Sequence, residues 1–177
     1  MTRHSVYVRG FTLIELVMVI FVLGVLTGFA VLRFGDGGRE SQVREEAERL
    51  AALIRLAREE AILQSDERAL AFTRHGYQFQ REYQIDERSF EWLPIEDDTM
   101  FRTRDLKDRK LSFELYVDGL RVALDRDAER PPPNVFFLSG GELSPFELYL
   151  KDETAPKRSY ILRGELSGRV QIEAPPT

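Results

Sequence analysis

Cysteine is absent from the 177-residue sequence, and histidine occurs only twice. Without cysteine the chain has no disulfide, no thiolate metal ligand and no thiol nucleophile. A Ser-His-Asp site would rest on His75, because His4 lies in the basic leader, and no Gly-x-Ser-x-Gly motif accompanies it. Phosphate-binding loops and dinucleotide fingerprints are also missing. The sequence therefore predicts neither a catalytic residue nor a cofactor.

Acidic residues are numerous, but their spacing does not match a calcium-binding loop. Asp97 and Asp98 stand together, and Asp125, Asp127 and Glu129 form a second group. An EF-hand loop needs ligands at fixed alternate positions and a closing bidentate glutamate. Neither group has that pattern, and charged loops of this kind are usually solvated. We therefore expect no metal site.

Apolar residues are concentrated at the amino-terminal end, whereas the rest of the chain is rich in charge. The formal net charge is -5 and the mean hydropathy is -0.31, but the first 34 residues are mostly apolar. Arg3 and Arg9 precede an unbroken apolar run over residues 16–32. A helix over residues 11–32 would be ~33 Å long, close to the ~30 Å hydrocarbon core of a bilayer. The pattern predicts one membrane helix over residues 11–34, with its amino terminus in the cytoplasm because the basic residues lie on that side.

A simple signal anchor would explain the apolar run, but it would not explain why a carboxylate, Glu15, lies within the predicted membrane helix. A carboxylate inside an apolar helix costs ~2.5–3.5 kcal/mol near the bilayer centre and less near its edge. At headgroup depth Glu15 would therefore cost little. If the helix is later packed among other helices, a buried carboxylate needs a cation. Cleavage after Gly10 would create a free amino terminus, and the one on a neighbouring chain could supply that cation.

Residues 10–16, with the sequence Gly-Phe-Thr-Leu-Ile-Glu-Leu, resemble the class III signal of type IV prepilins. The short leader over residues 1–10 and the apolar run that follows fit the same signal. The resemblance implies that a membrane-bound prepilin peptidase cleaves after Gly10 and methylates the new amino-terminal Phe11. It also implies that Glu15 pairs with an amino terminus during filament assembly.

Gly24 and Gly28 form a Gly-x-x-x-Gly pair in the apolar run. Small residues at this spacing allow two helices to approach closely. Ordinary glycines of a membrane helix would show the same spacing by chance, and glycine also weakens a helix locally. The pair is a candidate for helix packing in the membrane, and the sequence does not choose between these explanations.

Residues 35–38, Gly-Asp-Gly-Gly, are predicted to break or bend the helix, and a second helix is predicted over residues 40–64. Its apolar residues step by three and four along one face. These residues are Val43, Ala47, Leu50, Ile54, Ala57 and Ala61. The stripe would fit a coiled-coil partner, but its alanines favour close packing on the domain's own sheet. The charged face would be solvated or would face neighbours in an assembly.

Beyond residue 65 the apolar period changes to two, which predicts antiparallel strands joined by hairpins. Turns are expected at His75-Gly76 and at Asp118-Gly119, the strongest local hairpin signal in the chain. Strands are predicted over residues 69–73, 77–80, 89–93, 111–117, 120–124, 135–138, 146–150, 160–162 and 169–172. The order predicts an α+β fold, with a long amino-terminal helix, part membrane-embedded and part amphipathic, packed on antiparallel sheet. The head would comprise residues 35–177, with its β-rich part over residues 68–173.

Three later stretches, residues 50–62, 135–146 and 166–170, are similar to the H-type minor pseudopilins (GspH). This resemblance implies a pilin-like fold and a structural subunit at or near the tip of the type II secretion pseudopilus, which helps export folded proteins across the outer membrane. The implied partners are prepilin peptidase, the I, J and K types of minor pseudopilin, the major pseudopilin and the inner membrane, with secreted cargo as a further contact. The chain would cross the bacterial inner membrane once and hold its head in the periplasm. The alternative is a minor pilin of a type IV pilus, which would work in pilus assembly, adhesion or DNA uptake.

DNA uptake would require a basic surface on the head. Loss of the leader removes two arginines and no acid, so the formal side-chain charge changes from -5 to -7. The densest basic stretch, over residues 102–110, is interrupted by Asp105 and Asp108. A negative head repels phosphate, so nucleic acid is disfavoured as a partner.

Overall fold

The computed structural model describes residues 13–126, 128–155 and 159–174, apart from the side chains of residues 26–37. The chain divides into two compact units, residues 1–40 and 41–177. All of the strands belong to the second unit. The predicted boundaries of the leader, the membrane segment and the head stay predictions.

Helix α1 comprises Leu13–Gln64 and is helical throughout residues 35–38. The predicted break at these residues is therefore wrong, and the two predicted helices form one element. Glycine lowers helix propensity by only ~1 kcal/mol per residue and keeps its backbone hydrogen bonds, so three glycines need not end a helix. The helix ends instead at Gln64, and the next residue, Ser65, has a left-handed φ of 53°. The N–H of Asp66 then donates to the carbonyl of Ala61 at 3.2 Å and closes the last turn.

The described residues of the head form ten strands in two antiparallel sheets. The strands are β1 (Arg68–Phe72), β2 (Gly76–Gln84), β3 (Phe90–Pro94), β4 (Arg104–Asp105), β5 (Leu111–Val117), β6 (Leu120–Val122), β7 (Val135–Phe137), β8 (Phe146–Asp152), β9 (Ser159–Gly164) and β10 (Val170–Glu173). Sheet A has the order β3-β2-β1-β7, with β4 also paired to β2, and sheet B has the order β10-β9-β8-β5-β6. Each predicted strand is present within a few residues. The short β4 and the 3₁₀ helix Lys107–Arg109 were not predicted.

The two predicted hairpins are confirmed. Strands β1 and β2 pair in antiparallel register around His75-Gly76, and β5 pairs with β6 around Asp118-Gly119. Asp118 and Gly119 have φ values of 49° and 77°. Two successive positive φ values define the tight turn whose twist matches the flanking strands, and an Asp-Gly pair adopts it most readily.

The predicted apolar stripe of the helix lies in the core of the head. Val43, Ala47, Leu50, Ile54, Ala57 and Ala61 are all buried. They share one cluster with residues of both sheets, such as Phe79 and Leu148. Burial of a leucine or isoleucine side chain stabilises a fold by ~1.5–3 kcal/mol. The stripe therefore packs on the head's own sheets, as predicted, and is not available as a coiled-coil seam.

Strand β1 is buried on both faces, which the alternating pattern did not predict. One face contributes Leu70 and Phe72 to the main core. On the neighbouring β2, the Gln80 side chain is buried and donates to the Pro131 carbonyl at 2.9 Å. The segment between β6 and β7 thus supplies an acceptor for the amide N–H of a buried glutamine, whereas Gln80 Oε1 has no hydrogen-bond partner among the described residues.

Candidate functional site

The predicted cleavage and methylation residues, Gly10 and Phe11, lie outside the described residues. The predicted assembly residue, Glu15, lies in the first turn of α1 and is exposed. Its neighbours Ile14 and Leu16 are apolar and exposed, so Glu15 is a carboxylate within an apolar surface.

The described side chains next to Glu15 leave a large apolar surface uncovered. Eleven large apolar residues are exposed on all sides of the helix: Leu13, Ile14, Leu16, Val17, Met18, Val19, Ile20, Phe21, Val22, Leu23 and Val25. A helix that is apolar all round requires an apolar environment such as a bilayer or other helices. Over the described residues, however, no helix has both the length and the mean hydropathy of a membrane span.

The surroundings of Gly24 are described in the structure, whereas those of Gly28 are not. An added Cβ at Gly24 would meet nothing within 4 Å. Packing within the described part of the chain therefore does not require glycine at this position, and the role of Gly24 in helix packing stays a prediction. Gly28 lies in α1, but its surroundings fall among the side chains that are not described.

In the head, Glu46 is a fully buried carboxylate at the start of the buried stripe. The Tyr77 hydroxyl donates to Glu46 Oε1 at 2.9 Å, and Arg109 Nη1 donates to Oε2 at 3.1 Å. Arg49, one turn further along the helix, donates to the same Oε2 at 3.2 Å. Burial raises the pKa of the Tyr77 hydroxyl, and the neighbouring Glu46 charge raises it further. We call these four residues the Glu46 cluster.

The Glu46 cluster joins α1 to β2 and to the 3₁₀ helix, and sequence reasoning missed it. Arg109 lies in the basic stretch over residues 102–110, which by itself does not indicate a buried partner. A signal did exist, because Glu46 follows Val43 by three residues and precedes Leu50 by four, which places it on the buried face. An acidic residue at such a position requires a buried cation or donor.

A second buried ion, Arg68, connects the end of α1 to sheet A. Arg68 is fully buried and donates to Glu60 and, at 3.2 Å, to Asp66. Its guanidinium lies 5.5 Å from the centre of the Phe101 ring. Asp66 also pairs with Arg81 of β2 at 3.1 Å. Because nothing in the local sequence distinguishes Arg68 from the other charged residues near it, only the tertiary structure reveals this arrangement.

The solvent face of sheet B carries an ordered set of tyrosines and ion pairs. The rings of Tyr116 and Tyr149 pack edge to face, with centres 5.7 Å apart. Lys151 donates to Glu114, and this hydrogen bond lowers the pKa of the Glu114 carboxyl. Partial burial raises the pKa of Tyr149, as does its hydrogen bond to Glu147. These charges compensate one another across the strands.

The groove on sheet B is lined by charged residues, most of which pair with one another, and His75 is not one of its lining residues. The groove on sheet B, of about 470 Å³, is lined by the paired residues Glu114, Arg121 and Lys151. His75 Nε2 lies 3.1 Å from Glu153. Over the described residues, no group of three or more His, Asp or Glu side chains is placed to hold a metal ion.

Two family descriptions match parts of the chain. The family "Prokaryotic N-terminal methylation motif" matches residues 7–31, and the family "Type II transport protein GspH" matches residues 46–168. The first includes the candidate cleavage residues and Glu15. The second includes the Glu46 cluster and nine of the strands in full.

Curated proteins and solved structures agree with these families. Type II secretion system protein H of Pseudomonas aeruginosa is 37% identical over 162 residues, which is 89% of this chain and 91% of that protein. The protein of the same name from Aeromonas hydrophila is 28% identical over 181 residues, which is 97% of this chain and 96% of that protein. The minor pseudopilin EpsH of Vibrio cholerae has a similar fold, with a TM-score of 0.63 at 21% identity, over 76% of this chain and 97% of that one. This likeness confirms the predicted pilin-like α+β fold, and the chain belongs to the GspH family of type II transport proteins.

Proposed function

We propose that the chain is a minor pseudopilin of the type II secretion system, a structural subunit at or near the tip of the pseudopilus. In this role it helps move folded proteins across the outer membrane. The observation that carries the proposal is the joint match of the methylation motif and the GspH family to the two parts of one chain. The GspH family and the relatives named as secretion proteins favour this function over a type IV pilus.

Maturation comes first in this function. Prepilin peptidase cleaves after Gly10 on the cytoplasmic side and methylates the amino group of Phe11. Cleavage removes the charged leader and leaves an amino terminus that directly precedes an apolar helix. That arrangement is needed in a filament, because a cationic leader could not be buried among apolar helices without a large desolvation cost.

Assembly then covers the apolar side chains of residues 13–25. The inner membrane covers them first, with the head in the periplasm, and the helices of neighbouring pseudopilins cover them in the filament. Glu15 is the charged residue within this surface and pairs with the amino terminus of a neighbouring subunit. The pair fixes the axial position of one helix against the next, because a mispaired carboxylate would remain buried without a cation. Gly24 and Gly28 allow close helix contacts in the same region.

The head acts through its surfaces and not through chemistry. Its buried ions, Glu46 and Arg68, connect α1 to the sheets, so that force applied along the helix is transmitted to a single folded body. Its partners are the major pseudopilin and the I, J and K types of minor pseudopilin, with secreted cargo as a further contact at the tip.

The test uses the full chain expressed in cells with and without prepilin peptidase. With the enzyme, intact-mass analysis should show loss of residues 1–10 and the gain of one methyl group. The variant Gly10→Val should remain uncut and should fail to restore secretion to a strain that lacks the gene, whereas Thr12→Ser should behave as the parent. A chain that stays uncut beside an active peptidase, or a gene whose loss leaves secretion intact and abolishes pilus function, would contradict the proposal.

A further inference from the structure

The groove on sheet B lies where strand β6 separates from β5. Strand β8 pairs with β5 along the whole of Leu111–Val117, whereas β6 pairs with it only at residues 115–117. Over the described residues, the first half of β5 therefore has no strand beside it on the β6 side. Residues 112–114 of β5 and residues 121–124 line the groove at this gap, together with Arg74 and Lys151. We call it the β5–β6 groove.

The turn between β1 and β2 closes one side of the groove through Arg74. The N–H of Phe113 donates to the Arg74 carbonyl at 2.8 Å, and the N–H of Arg74 donates to the Asp125 carbonyl at 2.8 Å. The backbone of Arg74 is thereby held between β5 and the segment that follows β6. The Arg74 side chain takes no part in either bond, so it can be replaced without loss of this frame. A groove with a fixed frame lowers the entropic cost of binding.

Three cations and one carboxylate line the β5–β6 groove. The carboxylate is Glu114, to which Lys151 donates and with which Arg121 pairs at 3.0 Å. The hydrogen bond from Lys151 lowers the pKa of the Glu114 carboxyl, which is therefore ionised at neutral pH. Arg74 pairs with no acid in the described part of the chain. The groove thus keeps an excess of two positive charges on a chain whose formal net charge is -5.

Acids that follow the groove residues in the sequence do not cancel this excess. Asp152 is buried and accepts hydrogen bonds from Thr154, and Glu153 lies 3.1 Å from His75 Nε2. Asp125 contributes its carbonyl to the frame. None of these three acids lines the groove.

Apolar side chains complete the lining. Phe113 is buried, and Val122 and Leu124 are partly buried against the core of the head. The groove therefore combines excess cationic charge with apolar surface, and its volume of about 470 Å³ is enough for a few side chains. A ligand that matches both features carries a carboxylate next to an apolar group.

The amount of charge favours a protein segment over a polyanion. Nucleic acids and anionic membranes bind extended basic surfaces that neutralise many phosphates at once. Two excess charges do not form such a surface, and the acidic remainder of the chain repels a polyanion. One or two carboxylates of a protein segment, in contrast, balance the excess.

The exposure of the cations decides where that segment comes from. The Arg121 side chain is 69% exposed, and ion pairs in water are weak because solvent and salt screen them. Such a groove does not capture a free protein from dilute solution. A subunit held beside it in a filament has a high effective concentration, so that a weak and selective contact is sufficient.

We propose that the β5–β6 groove binds an aspartate or glutamate side chain, together with an adjacent apolar residue, of a neighbouring pseudopilin in the filament. This role rests on the proposed function and adds to it the site and the chemistry of the partner. Arg74 and Arg121 bind the carboxylate, and the apolar lining contacts the residue next to it. Because opposite charges must meet, the groove selects which subunit lies beside this head.

The experiment places a photo-crosslinking amino acid at Ala123 of the full chain, in cells that assemble the secretion system. Ala123 is exposed and lines the groove. The control site is Met100, which is 54% exposed and lies between two strands of sheet A. Mass spectrometry of the cross-linked peptides should show that the Ala123 probe reaches another pseudopilin at a segment that contains aspartate or glutamate. The Met100 probe should not reach that segment.

Charge variants, measured with the probe at Ala123, test the electrostatic basis of the contact. Arg74→Glu should lower the cross-link yield about tenfold, because an attraction becomes a repulsion, and Arg121→Glu should lower it as well. Arg74→Lys keeps the charge and should retain most of the yield. Arg102→Glu is the matched control, because it makes the same change in net charge at an exposed arginine outside the groove, and it should leave the yield unchanged. Arginine in place of the acid in the partner segment should restore the yield of Arg74→Glu.

Any other result contradicts the groove as this binding site. Such results are a cross-link only to secreted cargo, to nucleic acid or to a second copy of this chain, no cross-link from a mature chain in the filament fraction, and equal losses in Arg74→Glu and Arg102→Glu. A parent chain that is never cleaved or never enters the filament fraction would overturn the proposed function, and the assigned partner with it. Assays of cleavage and of the filament fraction on the same cells distinguish that failure from failure of the groove alone.

Discussion

Replacement of the buried Glu46 by glutamine should destabilise the head far more than the same change at an exposed helix position. Glu46→Gln keeps the shape of the side chain and the hydrogen bond from Tyr77, which can donate to the new amide oxygen. The amide NH2 group would then face the donors of Arg49 and Arg109, which already approach Oε2 to about the same distance. In this orientation the two charge-assisted hydrogen bonds from the arginines are lost. If the amide flips, its oxygen accepts from both arginines and its NH2 group donates to the Tyr77 oxygen, but the negative charge beside the two guanidinium groups is lost in either orientation.

The loss of stability expected for Glu46→Gln depends on how exposed its partners Arg49 and Arg109 are. Loss of one partner of a fully buried ion pair costs ~3–5 kcal/mol. Arg49 and Arg109 are both partly exposed and can regain water, so we expect the lower cost of ~2–3 kcal/mol. For a head of this size, ~1 kcal/mol corresponds to a shift in Tm of ~2–4 °C, so Glu46→Gln should lower the Tm by ~4–12 °C.

Thermal unfolding of the purified full chain in detergent, followed by circular dichroism, measures this shift. Glu48→Gln is the matched control, because Glu48 is on the same helix, is exposed and pairs with Arg44 at 2.8 Å. Exposed pairs contribute ~0–1 kcal/mol, so the control should shift the Tm by no more than ~4 °C. Equal shifts in the two variants would refute the conclusion that the buried charge cluster stabilises the junction of helix and sheet.

Three further predictions concern other residues. Glu15→Ala should leave the Tm of the head unchanged and strongly reduce recovery of the mature chain in the filament fraction, and equal recovery would disprove its pairing role. Gly168→Ala should lower the free energy of unfolding by ~2–3 kcal/mol, because the new methyl group would clash with Arg58 and the backbone has a positive φ. Gly119 has a similar φ but open space around it, so the control Gly119→Ala should lower the free energy of unfolding by only ~1 kcal/mol. Equal losses on chemical denaturation would contradict the close approach of Arg58. The pKa of Tyr77 is raised by folding, so its hydroxyl favours the folded state below the ordinary tyrosine pKa of 10.0 and loses that contribution as the pH rises above it. The difference in Tm between the parent and Tyr77→Phe should therefore shrink above pH 10.0, and a difference that grows there would show that the sign is wrong.

Local sequence patterns predicted most of the helix and the strands because each of these structures depends on residues that are close together in the chain. The Asp118-Gly119 hairpin needs only two residues that accept positive φ, and the buried stripe of α1 needs only a regular spacing of apolar residues. The break at residues 35–38 failed for the same reason. Glycine propensity is a small local term, and it did not end a helix whose neighbouring residues on both sides are helical.

The sequence by itself determined the class of the protein. Residues 10–16 form a contiguous motif that a processing enzyme can read without any fold, and the change from helical to strand periodicity determined the α+β order. Only the tertiary structure decided where charge is buried and which apolar residues remain exposed. Glu46 meets Tyr77 and Arg109 across separations in the chain that no local pattern can encode. The cost of burying a charge depends on such long-range neighbours and therefore appears only after folding.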